Sequence, residues 1–135
     1  MSIPTPRPVV VIAGSRHVCP IDWELDWLAR GIIRRGVVAL LHGDAPNTDR
    51  FVAGFVERTL GIRTFPFPYR SELGAAGGPA RNAAMARRAA ARPGSFCVLF
   101  PGGDGTASMR REAERAGLPV HLSPSQWRWD GGSVA

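Results

Sequence analysis

The chain has 135 residues, 44% of them hydrophobic and 21% charged, with a formal net charge of +6. That length suits one domain with a real core and is too short for two. No run approaches the apolar length of a membrane span, and the start shows no charged-then-apolar leader, so a soluble, cytoplasmic protein with no membrane association is expected. All 17 basic residues are arginine, which excludes Schiff-base lysine chemistry and any phosphate loop that needs a lysine.

The two cysteines, Cys19 and Cys97, form no CxxC pair, and His17, His42 and His121 are widely separated. Neither a disulfide framework nor a zinc site is indicated, so no metal and no cofactor is expected. The arginines are dispersed, with adjacent pairs only at 34–35, 87–88 and 110–111 on expected helices. That pattern reads as solvated helix faces and not as a nucleic-acid stripe.

Strand and helix alternate along the chain. Residues 8–13 are a β-branched run of the kind found in strands buried on both faces. Asp22 is the expected cap of a helix reaching Arg35, with Trp23, Trp27, Leu28 and Ile32 near helical spacing. Gly36 stops it, and residues 37–42 read as the second strand. A helix opening at Asn47 or Thr48 runs to Leu60, with Phe51, Val52, Phe55 and Val56 on one stripe and Gly61 as its stop. Residues 62–67 form a third strand, followed by a loop rich in proline, glycine and serine. Pro79 stands near the start of a helix over 80–91. Residues 96–100, 104–116 and 119–122 read as strand, helix and strand. The expected architecture is a Rossmann-like α/β/α fold with a mostly parallel sheet of about five strands, covering residues 8–122 of a single domain, 1–135. Trp127 and Trp129 in the tail, 123–135, are expected to pack on the body.

In such sheets ligands bind outside the carboxyl ends of the strands, and here four loops there carry suitable groups. After the first strand, Gly14, Ser15 and Arg16 offer amides, a hydroxyl and a guanidinium to a phosphate. After the second, Gly43 is followed by Asp44 and Asp49, either of which suits ribose hydroxyls; Asp49 equally suits the first turn of its own helix. The third block runs Gly74-Ala75-Ala76-Gly77-Gly78-Pro79-Ala80-Arg81-Asn82. Arg81 and Asn82 are expected in the next helix's first turn, where an arginine opposes the dipole and calls for an anion or carboxylate. In the fourth, Pro101 ends the strand, and Gly102, Gly103, Asp104, Gly105 and Thr106 lead into a helix. The three glycines are expected to allow positive φ and close backbone approach, with unpaired amides aimed at an anion.

Together, Val-Ile-Ala-Gly14-Ser15-Arg16, Gly43-x-Ala45 with Asp49, Gly78-Pro79-x-Arg81-Asn82 with Met85, and Phe100-Pro101-Gly102-Gly103-x-Gly105-Thr106 resemble the SLOG superfamily, and within it the small YspA-type domains. The resemblance implies a Rossmann-like domain for nucleotides or nucleotide-derived, ADP-ribose-like ligands, and a homodimer or higher homo-oligomer. It also implies kinship to the Lonely Guy phosphoribohydrolases and the DNA-processing protein DprA. Two departures bear on function. The glutamate that is catalytic in the Lonely Guy motif is Met109 here, with Glu112 one helical turn further on, and Asn47 and Thr48 stand where the family pattern has Gly-Ala.

The leading expectation is a domain that binds a nucleotide-derived small molecule as sensor, carrier or sequestering protein. A methionine can neither move a proton nor stabilise an oxocarbenium ion. The alternative is an enzyme cleaving an N-glycosidic or phosphate bond, with Asp44, Asp49, Glu72 or Glu112 as acid or nucleophile. Nucleic-acid binding ranks last, since Trp23 and Trp27 read as core and not as stacking platforms.

Overall fold

A computed structural model describes residues 6–125 of the chain; Trp127 and Trp129 lie outside the described residues. Five strands, β1 (Val9–Ala13), β2 (Ala39–His42), β3 (Arg63–Pro66), β4 (Phe96–Leu99) and β5 (Val120–Leu122), alternate with four α-helices: α1 (Asp22–Arg35), α2 (Thr48–Leu60), α3 (Gly77–Ala90) and α4 (Asp104–Arg115). The sheet order is β3-β2-β1-β4-β5, and every pairing is parallel, with Val10 opposite Leu40 on one side and Phe96 on the other. The fold is therefore Rossmann-like α/β, as expected.

The uninterrupted apolar run of β1 follows from its place at the centre. Val10 and Ile12 point to the layer of α1 and α2, where they meet Leu28, Ile32, Val52 and Val56. Val9 and Val11 point the other way, to Met85 and Ala89 of α3 and Met109 and Ala113 of α4. A strand covered on both faces has no polar side to show. Burying one such side chain contributes about 1.5–3 kcal/mol. Gly36 and Gly61 take φ of 68° and 65° beyond α1 and α2, where their amides bond back to helix carbonyls.

Several local expectations are corrected. The N-cap of α1 is Ile21 and not Asp22; Glu24 reaches back so that its Oε1 accepts the Ile21 amide at 3.2 Å. Trp23 is 40% exposed, whereas Trp27 is partly buried against the core; Phe51 also faces outward. The third helix begins at Gly77, directly after a 3₁₀ stretch, Ser71–Ala76. Pro79 is accommodated because the first four amides of a helix need no intrahelical acceptor. Arg81 and Asn82 consequently lie past the first turn. None of Gly102, Gly103 and Gly105 has positive φ; of the three, Gly102 is the one where a Cβ would collide, while Gly103 and Gly105 have open space there.

Candidate functional site

The strand order reverses between β1 and β4, and loops leaving neighbouring strands in opposite directions open a crevice at that point. Here the two loops are stitched together at its floor. The Phe100 amide donates to the Ala13 carbonyl and the Ser15 amide to the Pro101 carbonyl, each at 2.9 Å. This close approach needs two bare backbones. A Cβ on Gly14 would lie 2.6 Å from Thr48 Cγ2, and one on Gly102 would lie 2.1 Å from Thr106 Oγ1.

Above this floor lies a cleft of about 770 Å³. Every ligand-binding candidate from the sequence lines it except Gly102, which lies in the floor beneath. Gly103 and Gly105 have nothing within 4 Å of where a Cβ would be, so the backbone at the α4 N-terminus stands open. The first amides there lack intrahelical acceptors and carry the positive end of the dipole. Beside them the Thr106 hydroxyl is buried with no hydrogen-bond partner among the described residues, an arrangement that costs about 1–3 kcal/mol. Arg16 and Arg111 also line the cleft. Neither joins a salt bridge among the described residues.

Ser15 Oγ accepts the His17 and Val18 amides at 2.9 and 3.1 Å, which leaves its proton available to donate. Asn47 and Thr48 brace this loop. Asn47 holds φ of 65° and its Nδ2 donates to the Arg16 carbonyl. The Thr48 amide donates to the Ser15 carbonyl at 3.2 Å, and Thr48 Oγ1 to the Val18 carbonyl at 2.9 Å.

Asp49 is buried in the first turn of α2, where its Oδ2 accepts the amides of Gly43 and Ala45, both at 3.1 Å. Burial pushes its carboxyl up to about 6, against the opposing pull of those amides and of Arg81. Asp44 has φ of 56° and accepts from Arg50 Nε at 3.2 Å, while its amide donates to His42 Nδ1 at 3.0 Å. That last bond requires a neutral imidazole, and burial indeed lowers the His42 pKa.

Arg81 spans the cleft. Its Nη1 donates to the carbonyls of Gly43, at 2.7 Å, and Phe67, at 3.3 Å, and its Nε to Asn82 Oδ1 at 2.7 Å. Burial lowers its pKa, with nearby Asp49 and Tyr69 acting in the other direction and Arg16 adding to the lowering. Asn82 Nδ2 in turn donates to Ser108 Oγ at 3.2 Å and the Gly105 carbonyl at 3.4 Å. The dipole conflict expected at Arg81 is thus met by backbone carbonyls, and the Arg81–Asn82 pair ties the loops after β2 and β3 to the start of α4.

The acids proposed for catalysis divide. Asp44 and Asp49 line the cleft, but Glu72 and Glu112 do not. Glu72 pairs with Arg70 at 2.8 Å on the surface, and Glu112 with Arg115 at 3.0 Å. Met109 is fully buried in the core between sheet and helices. Sequence reasoning missed His17, Arg50, Tyr69, Ser108 and Arg111 as lining residues. For two of these a signal existed: Asp104, Ser108 and Arg111 stand at i, i+4 and i+7, one face of α4. Tyr69, in the loop after β3, carried none beyond its place at a strand's carboxyl end.

No protein-family model matches this chain, and no curated protein matches it in sequence. The fold and the cleft define a Rossmann-like α/β domain with an open anion-favouring helix terminus at its topological switch point. Among the described residues no helix is long and apolar enough to cross a membrane, and no cluster of three or more histidine, cysteine, aspartate or glutamate residues is placed to hold a metal.

Proposed function

We propose that the protein binds a nucleotide-derived small molecule, of the ADP-ribose-like class that its resemblance to SLOG domains implies, with a phosphate over the α4 N-terminus. The observation that carries this reading is the open backbone at Gly103 and Gly105, beside a Thr106 hydroxyl with no partner and two cleft arginines with no salt bridge among the described residues. Binding is favoured over hydrolysis because Asp49 is already committed to two amides and Asp44 to Arg50. The homo-oligomer implied by the same resemblance belongs to this proposal.

The test is thermal unfolding against nucleotides, cyclic nucleotides and ADP-ribose derivatives. A ligand at about 100 times its Kd adds about 2.7 kcal/mol to the stability. Gly103→Val is the informative variant. A Cβ there meets nothing within 4 Å, but the ψ of −140° at Gly103 lies outside the regions a β-branched residue favours, so the ligand-induced shift is read against the variant's own ligand-free stability, with the valine covering the amides. An equal ligand-induced shift in wild type and Gly103→Val overturns the phosphate assignment.

A further inference from the structure

Tyr69 lines the cleft with 51% of its surface exposed, yet its ring is not left to rotate. Its hydroxyl donates to the Gly74 carbonyl, which the turn at Gly74, with φ of 58°, presents to it. The ring edge rests on the first turn of α3. A Cβ on Gly77 would lie 2.9 Å from Tyr69 Cε1, and one on Gly78 would lie 3.4 Å from Cε2. Gly77 also lies against the Arg70 carbonyl, 2.2 Å from its would-be Cβ, so the same glycine lets the tyrosine's loop close onto the helix. Pro68, Ala75 and Pro79 surround this end of the cleft. The cleft thus combines apolar lining and one held aromatic ring with helix amides, Arg16 and Arg111.

We infer that Tyr69 is a preorganised stacking platform that takes the planar ring of the ligand, so that the site selects a nucleobase joined to an anionic group over a sugar phosphate alone. The inference rests on the nucleotide-binding reading above. A ring held at both its hydroxyl and its edge has little rotamer freedom left to lose when a second ring stacks on it. Every nucleobase offers a π-face, so the platform confers preference for a base without choosing among bases. Gly77 is thus explained by the Arg70 carbonyl and the ring it admits, whereas a Cβ at Gly78 would make ordinary contact with the ring.

The chain has a single tyrosine, so protein labelled with 3-fluorotyrosine gives one fluorine resonance, which reports on Tyr69 alone. Two probes separate the contributions: AMP, and ribose 5-phosphate, which keeps the sugar and the anion and lacks the ring. AMP is expected to shift the resonance and ribose 5-phosphate to leave it nearly in place. By calorimetry AMP should bind at least about fivefold more tightly than ribose 5-phosphate, the lower end of what stacking on one aromatic provides. Tyr69→Ala should remove that preference without changing ribose 5-phosphate binding. Tyr69→Phe, which keeps the ring and loses its tether, should retain part of it. If AMP and ribose 5-phosphate bind alike, or Tyr69→Ala weakens both equally, the platform is refuted while the phosphate site stands. If wild type binds neither and the fluorine signal is unmoved, the platform and the nucleotide reading fall together.

Discussion

Asp49→Asn isolates the consequence of burying a carboxyl among backbone amides. The Asp49 carboxyl is raised from 3.8 to about 6, burial being the largest cause. Between those values the folded protein binds more protons at this site than the unfolded chain, so stability falls as pH rises. The contribution is fully present below about pH 4, is lost progressively through the window and is gone above about pH 7. A difference of about two pH units corresponds to about 3 kcal/mol at 1.36 kcal/mol per unit. Asparagine keeps the shape, and its Oδ1 serves as acceptor for the Gly43 and Ala45 amides without a charge to desolvate. Urea unfolding followed by tryptophan fluorescence at constant ionic strength, from pH 4 to 7, should show the variant gaining on wild type by on the order of 3 kcal/mol. A gap that stays constant across the window refutes the reasoning. A gap that moves the other way would mean that the two amides and Arg81 outweigh burial.

A glutamate at position 109 should not make the protein a hydrolase. Met109 is fully buried, so Met109→Glu places a carboxyl in an apolar layer at a cost of at least about 3 kcal/mol. A lowered Tm with no released base or sugar phosphate from a nucleotide panel is expected; turnover would contradict the placement of this side chain. Thiol titration should separate the cysteines, because burial raises Cys97 to about 12 while Cys19 is half-buried and thiolates are the reactive form. An aromatic disulfide reagent at mildly alkaline pH should modify one thiol in the native protein and two in urea, and two fast thiols without denaturant would refute the burial of Cys97.

The sequence by itself determined the order of elements and hence the class of fold. Runs such as residues 8–13 and 96–100 are apolar without alternation, and only strands covered on both faces are written that way. The stops at Gly36 and Gly61 were equally legible, since few residues other than glycine accept positive φ at a helix end. The rule that ligands gather at strand carboxyl ends then places Ser15, Arg16, Asp44, Asp49 and Gly103 around one cleft. What only the tertiary structure decided is how each side chain there is employed. Arg81 reads as an anion ligand from its place beside a glycine-rich loop, yet it reaches across to carbonyls of Gly43 and Phe67, 38 and 14 residues away in sequence. Asp49 reads equally as a ribose acceptor or as a first-turn carboxylate of its own helix; it sits in that turn and closes the loop after β2 by accepting the Gly43 and Ala45 amides. Tyr69 gives no periodic signal, because its ring is held by a 3₁₀ turn and two glycines that meet it only once α3 has docked. Periodicity records which face of an element is buried. It does not record which distant backbone groups come within reach of a polar side chain, and in this cleft those distant groups set the role of each residue.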